Sequence, residues 1–181
     1  MKQIMISRIA EIIMAMKCPC QKCKSKPYIQ VSDLLIDLIL KLEKGTGKQV
    51  IITSGNRCKE YNQSIGGYWD SPHIPKPKGK AADMQIKGMN NIKLAFACEK
   101  AGFKRIGIYP NHIHGDIIEP RPSKYWYKKT YHGTAIYSKG IKTLNEFLIK
   151  LKKEGRLNQN DLDIFNNINS NSSNFLSFYN K

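Results

Sequence analysis

Apolar positions along the chain follow two rhythms. Helical spacing governs residues 31–43, where Leu34, Leu35, Leu38, Ile39 and Leu42 share a face, Ser32 stands at a capping position, and Gly45 and Gly47 close the segment. The same spacing predicts helices over 90–102, with Ile92, Leu94, Ala95, Phe96 and Cys98 available for packing, and over 143–154, with Leu144, Phe147, Leu148 and Leu151 on one side. Residues 1–16 are apolar in part, but Arg8 and Glu11 interrupt them, so an amphipathic helix is expected there rather than a membrane span or an export-signal core. The second rhythm is short, β-branched or alternating. It predicts a buried strand over 48–53 that delivers Ser54-Gly55-Asn56-Arg57, a short helix over 58–65 broken by Gly66-Gly67, and an alternating strand over 81–86. Residues 105–109 and 112–118 read as an antiparallel pair joined at Pro110-Asn111. Together these elements predict an α+β fold in which a small antiparallel sheet is backed by helices.

A chain of 181 residues suits one domain of moderate size with extensions. The expected division is an N-terminal helix over 1–17, a central domain over 18–130, and an extension over 131–181 that carries one helix and an Asn/Ser-rich tail. Thirty Lys and Arg against fourteen Asp and Glu give a net charge of +16. Such a balance favours polyanions, whether nucleic acid, acidic membrane surfaces or anionic wall polymers, although abundant Lys, Ile and Asn also fit an A/T-rich coding sequence. Tyr125, Trp126 and Tyr127 beside Lys128 and Lys129, with Tyr131 and His132, interleave aromatics with cations, which suits contacts to sugar, wall polymer or single-stranded nucleic acid, unless Trp126 simply caps the core. The five cysteines are an odd number without an export signal, which argues against a full disulfide framework. Cys18-Pro19-Cys20-Gln21-Lys22-Cys23 is able to begin a structural zinc knuckle with Cys58 as fourth ligand if the fold brings it near, but no second CxxC half follows.

The chemistry concentrates between residues 71 and 116. His73, Asp83 and His114 offer two imidazoles and one carboxylate, three ligands that leave a fourth position of a zinc ion free for water, as catalytic rather than structural sites do. Such a centre still needs a base for the water proton and a cation facing the developing oxyanion. His112 and Asp116 flank His114 at the alternation of an extended segment, so one strand is able to carry a ligand, a base and an orienting carboxylate. Arg57, at a strand end, is placed to grip a carboxylate or an oxyanion.

These residues fall in a recognisable order: Ser54-Gly55-Asn56-Arg57, Tyr61-Asn62, Gly66-Gly67, Ser71 and His73, Gly79 with Ala81-Ala82-Asp83, Gly107 with Tyr109-Pro110, His114 and Asp116, then Arg121 and Trp126. The order resembles the zinc D-alanyl-D-alanine carboxypeptidase family of peptidoglycan peptidases, which includes phage endolysins and shares its core fold with the Hedgehog signalling domain. That resemblance implies His73, Asp83 and His114 as ligands of one catalytic Zn2+ and Arg57 as the substrate-facing cation. Two departures stand out. Nine residues separate His73 from Asp83, more than the family's spacing, and position 111 holds an Asn where many relatives place a titrating Glu or Asp. The proton-transfer role then falls to His112, with Asp116 as its supporting carboxylate.

The function implied is a zinc metallopeptidase, a D-Ala-D-Ala carboxypeptidase or an endopeptidase, that hydrolyses stem peptides or cross-bridges of bacterial peptidoglycan in the manner of an endolysin. Its partners would be peptidoglycan and anionic wall polymers, with neither nucleic acid nor stable membrane insertion expected. It would be made in the cytoplasm and reach the wall by holin-type release or as a phage-associated protein. The alternative is a basic module that binds wall polymer or nucleic acid, its metal site vestigial or structural.

Overall fold

A computed structural model describes residues 2–20, 23, 30–120 and 123–170. Arg121 and the Asn/Ser-rich residues 171–181 lie outside the described residues. Six strands form one sheet: β1 (Val50–Ser54), β2 (Ala81–Ile86), β3 (Arg105–Ile108), β4 (Ile113–Asp116), β5 (Tyr125–Tyr127) and β6 (Ile136–Tyr137), in the spatial order β1-β2-β4-β3-β5-β6. Among the described residues six helices accompany them: α1 (Lys2–Ala15), α2 (Asp33–Thr46), α3 (Lys59–Ser64), α4 (Asn91–Ala101), α5 (Leu144–Lys153) and α6 (Gln159–Ser170). The fold is α+β as expected, but the sheet is larger than predicted and mixed, because β5 pairs in parallel with β3.

Alternation along the strands divides the sheet into two faces with different work. Ala82, Met84, Ile106, Ile108, Ile113, Tyr125 and Tyr127 all turn into the core built with the helices. Tyr125 and Tyr127 are therefore core residues, not part of an exposed aromatic and cationic run. Gly115 belongs to the same face, and a Cβ there would stand 2.6 Å from Phe103 and 2.7 Å from Met84. The opposite face presents Asp83, His114, Asp116, Arg105, Gly107 and Trp126, which pair across neighbouring strands.

Helix α4 is the centre of the packed layer and touches α2, α5 and α6. Its ends are set locally: the Asn90 side chain accepts from the Ile92 N–H, and Gly102 takes the left-handed conformation that stops the turn. Helix α2 buries Leu35, Ile36, Leu38, Ile39 and Leu42, whereas Leu34, expected on that face, is about half exposed. Ser32 occupies the capping position of α2 but makes no side-chain cap. Residues 131–170 carry two helices rather than the single one expected. Phe147 of α5 and Phe165 of α6 are fully buried in the same core as α2 and the sheet. At the other end of the chain, α1 packs on β1, and its Ile12, with Met16 just after the helix, enters that core.

Candidate metal centre

Strands β2 and β4 run antiparallel with Asp83 directly opposite His114, so the register alone places both side chains together on the open face. His73 arrives from the loop after α3. That loop is tied to the one after β1, because Arg57 N–H donates to the His73 carbonyl at 2.8 Å. The three inward atoms then form a triangle: His73 Nε2 to Asp83 Oδ1 3.2 Å, His73 Nε2 to His114 Nδ1 3.1 Å, and His114 Nδ1 to Asp83 Oδ1 3.0 Å. Zinc bonds of about 2.0–2.1 Å in tetrahedral geometry separate neighbouring ligand atoms by about 3.3–3.4 Å. The triangle is close to one face of that tetrahedron, and all three residues are buried.

The outward atoms decide which nitrogens are bare. His73 Nδ1 lies 2.6 Å from the Gly55 carbonyl, which only accepts, so the proton sits on Nδ1 and Nε2 keeps its lone pair. His114 Nε2 lies 3.0 Å from Asp116 Oδ2 and donates to it, which leaves Nδ1 inward and bare in the neutral ring. Two lone pairs and a carboxylate oxygen thus converge within hydrogen-bond distance with no donor between them. A cation resolves that conflict, and so does a proton. Burial disfavours charge on His114, but hydrogen bonds to Asp116 and Asp83 outweigh it and raise the imidazole to about 9. For His73 burial dominates and lowers its pKa. Asp83 is pushed upward by burial, yet the charge of His73 and the hydrogen bonds of both imidazoles hold it well below the usual carboxylate range.

Around the triangle stand the other expected residues. Arg57 binds the second oxygen of Asp83 through Nη2 at 2.5 Å and Ser54 Oγ through Nε at 3.0 Å, which leaves Oδ1 to the metal position. Asp116 is fully buried and serves His114 rather than His112. His112 lies on the same face just before β4, with Nε2 3.9 Å from Asp83 Oδ1. Its Nδ1 meets the Asn111 side-chain oxygen at 2.8 Å, an acceptor that places the proton on Nδ1 and leaves the Nε2 lone pair facing the centre. Burial lowers the pKa of His112, keeping the ring neutral. The six residues singled out in the sequence are thus gathered at one place.

Three further residues contribute: Arg105, which the sequence reading passed over, and Tyr109 and Trp126, which stood in the ordered motif without a role at the site. Arg105 clamps Asp116 through Nε, 3.0 Å from both oxygens, and Nη2, 2.8 Å from Oδ2. Tyr109 stacks on His112 with ring centroids 4.4 Å apart and accepts from Trp126 Nε1 at 3.1 Å. Trp126 lies 5.2 Å from His114, over Gly107, where a Cβ would stand 2.3 Å from the indole. The signal for Arg105 was available, since a turn at Pro110-Asn111 registers it opposite Asp116.

A search of curated proteins returns no match. A family model described as Peptidase M15 matches residues 8–116, more than half of the chain. Peptidases of this family use zinc, and the donor set present here suits that ion. The match runs from within the first helix to the last residue of β4 and takes in the three ligand candidates with Arg57, His112 and Asp116. The chain therefore belongs to the Peptidase M15 family, the zinc D-Ala-D-Ala carboxypeptidase-like metallopeptidases.

Proposed function

We propose that this metallopeptidase hydrolyses peptide bonds in bacterial peptidoglycan, as an endolysin-type enzyme, with His73, Asp83 and His114 holding its zinc. The observation that carries the reading is the buried triangle of two imidazole nitrogens and a carboxylate oxygen, 3.0–3.2 Å on each side, beside a third imidazole, His112, whose Nε2 is free to accept a proton. A zinc ion held by His73, Asp83 and His114 would supply Lewis acidity for a bound water and for the scissile carbonyl. His112 Nε2 takes the proton of the attacking water and hands it to the leaving amine. Arg57 spends two of its donors on Ser54 and Asp83, and the remaining N–H groups of its fork face the oxyanion or a terminal carboxylate.

The wall substrate is supported by what surrounds the centre. Trp126 lies 6.4 Å from Tyr137, Tyr137 meets Tyr68, and Tyr68 and Trp69 are about three-quarters exposed. Lys76 Nζ stands 5.8 Å from the Trp69 ring. An exposed aromatic rim leading away from a peptidase centre suits a polymer of sugars and peptides, and the net charge of +16 draws the chain to anionic wall polymers. Among the described residues, no helix is long and apolar enough to cross a membrane.

The test is mass analysis of muropeptides released from purified wall by the wild type, by chelator-treated enzyme and by His114→Ala. New peptide ends are expected from the wild type alone, and their masses distinguish carboxypeptidase from endopeptidase cleavage. Wild-type digestion by His114→Ala would refute the ligand assignment. Salt-sensitive wall binding without any released peptide would support a binding module instead.

A further inference from the structure

Among the described residues a second cluster lies outside the peptidase centre. The Sγ atoms of Cys18, Cys20, Cys23 and Cys58 all lie within 4.8 Å of one another. Cys20 and Cys58 approach to 3.5 Å, and all four cysteines are free thiols. We propose that these four side chains hold a second zinc ion, with a structural role.

Four thiolates around zinc with bonds of about 2.3 Å place neighbouring sulfurs about 3.8 Å apart, which matches a cluster of this size. A disulfide would instead bring two sulfurs to about 2.05 Å and leave the other two without a role. Here four sulfurs converge on one point rather than pairing. Backbone N–H groups already aim at two of them: Cys58 N at Cys18 Sγ, 3.4 Å, and Tyr61 N at Cys58 Sγ, 3.3 Å. Such bonds stabilise charge on a thiolate ligand. The donors come from two distant segments, three from the turn after α1 and one from the position that caps α3.

That origin gives the ion something to do. The loop from Ser54 to Cys58 already lies hard against the end of α1, with Asn56 N donating to Met16 O at 2.8 Å. At Gly55 a Cβ would stand 2.5 Å from the Met16 Cα. The same loop carries Arg57, next to Cys58, and the Gly55 carbonyl that sets the tautomer of His73. An ion shared by residues 18, 20, 23 and 58 therefore staples the N-terminal segment to the loop that orients the peptidase centre. The inference does not depend on what that centre hydrolyses.

Metal analysis of the full chain, purified under reducing, oxygen-free conditions, tests it. The wild type should carry two equivalents of zinc, His114→Ala one, and Cys20→Ser/Cys58→Ser one. Because the cysteine variant is at risk of misfolding, a second measurement uses unaltered protein reconstituted with Co2+. Thiolate-to-cobalt charge-transfer absorption should appear in the near ultraviolet and persist in His114→Ala. Absence of that absorption in cobalt-loaded wild type would overturn the proposal. So would a disulfide among the four residues in freshly purified protein, read by intact mass without reductant.

Discussion

Asp116→Asn perturbs the centre without touching the ion. Its carboxylate is fully buried and receives His114 Nε2 at 3.0 Å, Ile118 N at 3.0 Å and the Arg105 fork at 2.8–3.0 Å. Asparagine has the same shape but no charge, and an NH2 donor replaces one of the two carboxylate oxygens. The amide is then unable to accept from both Arg105 and His114 on the terms the carboxylate does. The ring loses the anion that makes its inward nitrogen a better ligand. Removing such a partner costs about 10–100-fold in metal affinity, or about 1.4–2.8 kcal/mol. Arg105 also loses its counter-charge, but its side chain is 18% exposed, so the stability loss should fall below the 3–5 kcal/mol (about) of breaking a fully buried pair. The assay is a chelator titration that follows the zinc equivalent missing from His114→Ala, run beside thermal melts of the metal-free protein. Zinc should be released at about 10–100-fold lower chelator strength from a protein that is still folded. A folded variant that gives up zinc within twofold of the wild type would refute the claim that Asp116 tunes His114.

Three other substitutions probe separate links. His112→Ala should lower kcat by about 10²–10⁴-fold with zinc content unchanged; full activity in a peptidase assay would remove His112 as the base. Gly107→Ala puts a methyl group 2.3 Å from the Trp126 ring and should cost about 1–3 kcal/mol by overpacking, so an unaltered denaturation midpoint would contradict the packing described. Phe165→Ala removes a fully buried ring from α6 and should cost about 3–5 kcal/mol in chemical denaturation, whereas a loss under 1 kcal/mol (about) would mean that α6 adds little to the core.

The strands that carry the ligands were legible because their signals are local: β-branched runs, alternation and a turn at Pro110-Asn111. Residues that owe their role to distant partners were not. Tyr125 and Tyr127 read as a surface run because nothing nearby reveals that β5 returns beside β3 and turns them inward. Helix α6 is rich in Asn, which prefers caps and turns, so propensity argued against it. Tertiary contacts prevail there: Leu162, Phe165 and Ile168 form a stripe at helical spacing. Asp161 accepts from Tyr127 Oη at 2.9 Å and from Asn158 Nδ2 at 2.8 Å, which joins the extension to β5. Only a hydrophobic count at the right period would have hinted at it.

The long spacing between His73 and Asp83 shows which distances in this site are free and which are not. His73 is held by the Gly55 carbonyl and by Arg57 N–H, and Gly79 is held by the Gln30 carbonyl at 2.7 Å and by Ser32 N–H at 3.0 Å. Gly79 also packs so closely on Asn56 that a Cβ would stand 1.6 Å from its side-chain oxygen. With both ends fixed, the extra residues bulge outward, and Lys76 and Pro77 are exposed. Closing a loop lengthened by less than twofold costs under about 0.6 kcal/mol, against a zinc-binding free energy of about 10–16 kcal/mol in small structural sites. Loop length between ligands is therefore nearly free. Register is not, because a slip of one residue between β2 and β4 would turn Asp83 from the open face into the helix-packed core and leave His114 opposite an alanine or a methionine.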